Sequence, residues 1–73
     1  MENATIAALL EKTELRVTES EEDVARQAGV IAAMAPDSRD LNHARRLLDL
    51  FKDILEMHIA ARDRLRNELE KSS

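Results

Sequence analysis

Seventy-three residues with a net charge of −4 and no cysteine make one small domain that has neither disulfides nor a thiolate metal site to staple it. With 36% charged side chains, a single Phe, no Trp or Tyr, one Gly and one Pro, the composition excludes a sheet protein and fits a helical bundle or coiled coil. There is no basic leader before a long apolar run, and no apolar stretch approaches the roughly 18 residues that span a bilayer, so no membrane association is expected and the chain is read as cytoplasmic.

The first half is the acidic one. Residues 1–35 hold seven acidic and three basic side chains, whereas residues 36–73 hold eight of each. Ile6, Leu10, Thr13, Val17, Ser20, Val24, Gln27, Ile31 and Met34 alternate at spacings of three and four, which is the seam of one long helix over about residues 4–34. Asn3 is a candidate N-cap. Residues 1–16 are only weakly amphipathic, with Ile6, Leu9 and Leu10, and are expected to fray or to form a separate short helix. Thr18-Glu19-Ser20-Glu21 also matches a capping box that would start a new helix, but the unbroken alternation favours one helix, bent at most near Thr18. Its seam is narrow, about 100° wide, and polar at Thr13, Ser20 and Gln27, which share one heptad column; such residues loosen packing and fix register. Gly29 lies off the seam.

Pro36 pushes Ala35 out of helical geometry, and Asp37, Ser38 or Asp40 can cap the next helix, so a turn is placed at 35–38. A second helix over about 39–71 carries most of the large apolar side chains. Leu41, Ala44, Leu48, Phe51, Leu55, Leu65 and Leu69 form its seam, with His58 and Arg62 breaking the chemistry in the middle. Leu47, Leu50, Ile54, Met57 and Ala61 lie along one flank and Ile59 along the other, so the apolar arc spans roughly 200°. A short connection makes the helices antiparallel neighbours. Centred near residues 37 and 38, it sets Val24 opposite Phe51, Val17 opposite His58 and Thr13 opposite Arg62. The fold class is therefore all-α: residues 1–73 form a single antiparallel helical hairpin of two long helices.

Val24-Ala25-Arg26-Gln27 with Ile31, then Ala44-Arg45-Arg46-Leu47-Leu48-Asp49-Leu50-Phe51, and His58-Ile59-Ala60-Ala61-Arg62-Asp63-Arg64-Leu65-Arg66-Asn67-Glu68-Leu69 together resemble a group of short uncharacterised helical-hairpin proteins of alphaproteobacteria. The resemblance covers about residues 17–69. Those proteins often carry Gly-x-Asp before the second helix, where this chain has Ser38-Arg39-Asp40. The resemblance implies a source and a hairpin fold, and no activity.

His58 and Arg62 form a polar seam. An imidazole can bind a proton near neutral pH, but a seam histidine is more often satisfied by a neighbour across the hairpin, and no convergent nucleophile accompanies it. Asp40 and His43 share a helix face, yet a metal needs at least three ligands and His58 is more than about 20 Å away along the helix. No metal or other cofactor is expected. Arg45, Arg46, Arg62, Arg64 and Arg66 are interrupted by Asp49, Asp53, Glu56, Asp63 and Glu70 and lack aromatic platforms, so no nucleic-acid partner is expected. A buried Arg62 should find a carboxylate near Glu14 or reach water by snorkelling.

The chain is accordingly read as a non-enzymatic protein–protein interaction or regulatory module. The wide arc of the second helix is covered only on one side by the narrow first seam, which leaves Leu47, Leu50, Ile54 and Met57 as an interface. A homodimer completing a four-helix bundle would cover them. In the alternative, the N-terminal segment folds back as a third helix and covers them within one chain. A His-dependent phosphorelay or signalling module using His58 or His43 is the competing function, although no acidic residue follows either histidine: His43 precedes Ala44 and His58 precedes Ile59.

Overall fold

The computed structural model describes residues 2–72; Met1 and Ser73, the ends of the expected domain, lie outside the described residues. Helix α1 runs Asn3–Ala32 and α2 runs Leu41–Ser72. They pack side by side as an antiparallel hairpin with Cα extents of 55 × 13 × 12 Å. None of the described helices is long and apolar enough to cross a membrane.

The first helix is continuous from Asn3, so residues 3–16 neither form a separate short helix nor fold back as a third one. The bond made by Thr18 explains why the capping box does not interrupt it, and Thr13 behaves in the same way. The hydroxyl of Thr18 donates to the carbonyl of Glu14 at 3.2 Å, and Thr13 does the same to Leu9 at 2.8 Å. Both hydroxyls thereby bond back into the preceding turn and do not cap a new one. Asn3 is not the N-cap: that position is Glu2, in extended geometry with no side-chain cap bond, and its carbonyl accepts from Ile6 at 3.0 Å. Asn3 instead donates from Nδ2 to the carbonyl of Ser72 at 3.5 Å, linking the two open ends.

The connection is longer than the pattern predicts, covering residues 33–40 where 35–38 is expected. The N–H of Ala33 is shared between the carbonyls of Gly29 and Val30, and Met34 bonds to Ile31 three residues back, so α1 tightens before it ends. Two turns complete the connection. Ser38 donates its N–H to the carbonyl of Ala35 at 3.0 Å, with Pro36 in the second position of that turn, where its fixed φ fits. Leu41 then donates to Ser38 at 3.3 Å, while the Ser38 hydroxyl accepts from the N–H of Asp40 at 3.2 Å. Asp40 contributes its carbonyl to the first turn of α2, accepting from Ala44 at 2.9 Å.

The predicted seam of α1 is its inward face: Ile6, Val17 and Ser20 are buried, and Leu10, Thr13, Val24, Gln27 and Ile31 are half-buried. From α2 the buried and half-buried side chains include Leu41, Ala44, Leu48, Phe51, Leu55, His58, Arg62, Leu65 and Leu69. Gln27 bridges the seam, donating from Nε2 to the carbonyl of Ala44 at 2.9 Å. That bond accounts for a polar residue at a core position, since a buried amide left unpaired is costly. The Asn3–Ser72 bond joins residues equally far from the point between Asp37 and Ser38, the same register that sets Val24 opposite Phe51 and Val17 opposite His58.

Candidate interaction surface

Two packed helices have two long sides, and here a single ion pair shows how those sides are composed. Arg66 Nη2 lies 2.9 Å from Glu14 Oε2 across the hairpin. Residues seven apart stay on one stripe of a packed helix, so the stripe of Ala7, Glu14, Glu21 and Ala28 on α1 adjoins that of Arg45, Lys52, Ile59 and Arg66 on α2. This is the charged side. Glu14 pairs with Arg66 on the flank and not with Arg62 on the seam. Arg62, with its side chain 25% exposed, turns back to its sequence neighbour and places Nε 3.2 Å from Asp63 Oδ1. The guanidinium thus finds a carboxylate at the surface of the seam.

The other long side is formed by the remaining flanks: Leu9, Arg16, Asp23 and Val30 from α1, and Leu47, Ile54, Ala61 and Glu68 from α2. Next to the latter on α2 runs a further stripe, His43, Leu50, Met57 and Arg64. All four residues expected to form an interface fall on this side. Leu47 and Ile54 are half-buried, Leu50 is 52% exposed and Met57 70% exposed. Leu9 and Val30, which sequence reasoning does not attach to this surface, are also exposed. Their signal is the heptad column shared with Arg16 and Asp23, visible only once the side facing α2's ridge is known. Near the connection His43, Arg46, Leu47 and Leu50 line a shallow open groove of about 350 Å³.

The hairpin as a whole exposes 5547 Å². A compact protein of 8.3 kDa is expected to expose about 4,600 Å², so the rod exposes roughly a fifth more. Two helices alone enclose little, and among the described residues only Ile6, at 1% exposure, is a fully buried large side chain.

The histidines take separate positions. His43 is exposed at the groove, and His58 is half-buried on the seam. No buried polar side-chain atom among the described residues lacks a hydrogen-bond partner, so the His58 ring nitrogens, which make no bond across the hairpin, reach the surface. No group of three His, Cys, Asp or Glu side chains that could hold a metal ion occurs among the described residues. No family model, curated protein or solved structure matches the chain.

Proposed function

We propose that this chain is a non-enzymatic interaction module that works as a homodimer, pairing through the hairpin side that carries Leu47, Leu50, Ile54 and Met57 to complete a four-helix bundle. The observation that carries it is the difference between the two long sides. One is closed by charge and the Glu14–Arg66 pair, while the other leaves Leu9, Val30, Leu50 and Met57 exposed along a ridge too long for an isolated surface leucine. A second copy supplies an identical ridge, and two-fold pairing is the commonest symmetry of small oligomers. A cytoplasmic setting and an alphaproteobacterial source complete the proposal; they rest on composition and on the resemblance of residues 17–69.

Sedimentation equilibrium from micromolar to millimolar concentration tests the proposal. The expected result is twice the chain mass for the wild-type protein and a shift toward the single-chain mass for Ile54→Asp. A single-chain mass at every concentration would overturn it.

A further inference from the structure

We infer that the two copies pack antiparallel, with their connections at opposite ends of the bundle and α1 against α1, α2 against α2. This inference rests on the homodimer proposed above and specifies its geometry from the residues that line the apolar side.

On α1 the stripe reads Leu9, Arg16, Asp23, Val30: apolar, basic, acidic, apolar. Laid against its own reverse, Leu9 meets Val30 of the second copy and Arg16 meets Asp23, each contact occurring twice. Asp23 Oδ1 accepts from Arg26 within its own helix at 3.0 Å, which leaves a second carboxylate oxygen for a cross-copy donor. Arg16 is exposed, and no ion pair competes for it among the described residues.

The two stripes of α2 have the same property. Reversed, they set Ile54 on Met57 of the second copy, Leu50 on Ala61, Leu47 on Arg64 and His43 on Glu68. Four central layers are apolar. Leu47 then lies along the aliphatic stem of Arg64, and the His43–Glu68 layers close the ends with polar contacts. The α1 stripe reverses about the point between Glu19 and Ser20, and the α2 stripes about the point between Leu55 and Glu56. In the register fixed by the Asn3–Ser72 bond, these two points lie at one height along the hairpin, so a single two-fold axis serves both helices.

The arrangement with both connections at one end fails on the same residues. It lays α1 of one copy over α2 of the other at equal height, which sets Arg16 between Met57 and Ala61 and Asp23 between Leu50 and Ile54. Arg16 would then be desolvated against apolar side chains without an opposite partner, and Asp23 with only Arg26 of its own helix, a costly outcome. Antiparallel packing pairs them.

The chain contains no cysteine of its own, so Asp37→Cys, in the exposed connection, can carry one nitroxide label per chain. Pulsed electron resonance and sedimentation on the same samples separate the outcomes. Antiparallel packing gives a doubled mass with a label separation close to the 55 Å length of the hairpin. A doubled mass with labels within about 25 Å, two helix diameters, would overturn the orientation and leave the homodimer standing. A single-chain mass would overturn both. Charge reversal supplies an independent reading: Arg16→Asp and Asp23→Arg should each weaken self-association at least tenfold while keeping their helical circular dichroism, and an equimolar mixture should recover it as a heterodimer. A mixture that associates no better than either variant alone would contradict the inferred pairing.

Discussion

The two long sides of this hairpin are cut from the same pair of helices and differ in what occupies the stripes beside the seam. On one side Glu14 and Glu21 face Arg45, Lys52 and Arg66, and the Glu14–Arg66 pair closes the gap with both side chains about half exposed. On the other side Leu47, Leu50, Ile54 and Met57 continue the apolar arc of α2 past the edge of α1. The seam between them is alike for both. A narrow, partly polar seam such as that of α1 can therefore hold a hairpin in register but cannot cover a partner helix whose apolar arc is twice as wide.

Leu50→Asp should break this contrast outright. It places a charge on the uncovered side and is expected to weaken self-association at least a hundredfold, since a carboxylate buried without a partner costs several kcal/mol. Lys52→Glu, on the charged side, should leave the dissociation constant within about twofold. Sedimentation of both variants checks the pair, and equal effects would remove the distinction between the sides.

Gly29→Ala comes next in magnitude. A Cβ added there meets nothing within 4 Å and no glycine has positive φ among the described residues, so the substitution should raise stability by about 1 kcal/mol through helix propensity alone. Urea unfolding at fixed protein concentration measures it. Arg62→Leu is third. Because among the described residues Arg62 pairs only with the adjacent, exposed Asp63, replacing it should leave stability unchanged or raise it by up to about 1 kcal/mol. A loss of several kcal/mol in the same assay would show an essential partner on the seam. The weakest response belongs to the charged side: a double-mutant cycle on Glu14→Ala and Arg66→Ala should give a coupling below about 1 kcal/mol that fades at high salt.

Much of the fold is legible in the sequence because helix periodicity is a property of spacing. The alternation from Ile6 to Ile31 names the inward face of α1, and Pro36 locates the first turn of the connection. The helix ends are less legible. They depend on which of several polar groups takes which backbone N–H, and the Ser38 hydroxyl bonding Asp40 and Asn3 reaching Ser72 are choices among near-equal alternatives. The partner of Arg62 escapes sequence reasoning for a related cause: spacing puts Glu14 at the right height, but which flank adjoins it depends on the handedness of the packed pair. The four ridge residues of α2 can be named from sequence because they widen an apolar arc. Leu9 and Val30 cannot, since single leucines and valines on a polar stripe carry little signal until the opposing surface is known.

Methyl accessibility reads the covering of the apolar side without any substitution. In the single hairpin Met57 is 70% exposed and Leu15, on the far side of α1 from the seam, is 60% exposed. A soluble paramagnetic agent should therefore broaden both methyl signals similarly in dilute protein. At concentrations where the mass has doubled, pairing through the apolar side predicts that Met57 becomes protected while Leu15 stays fully broadened. Equal broadening of the two at every concentration would contradict that pairing.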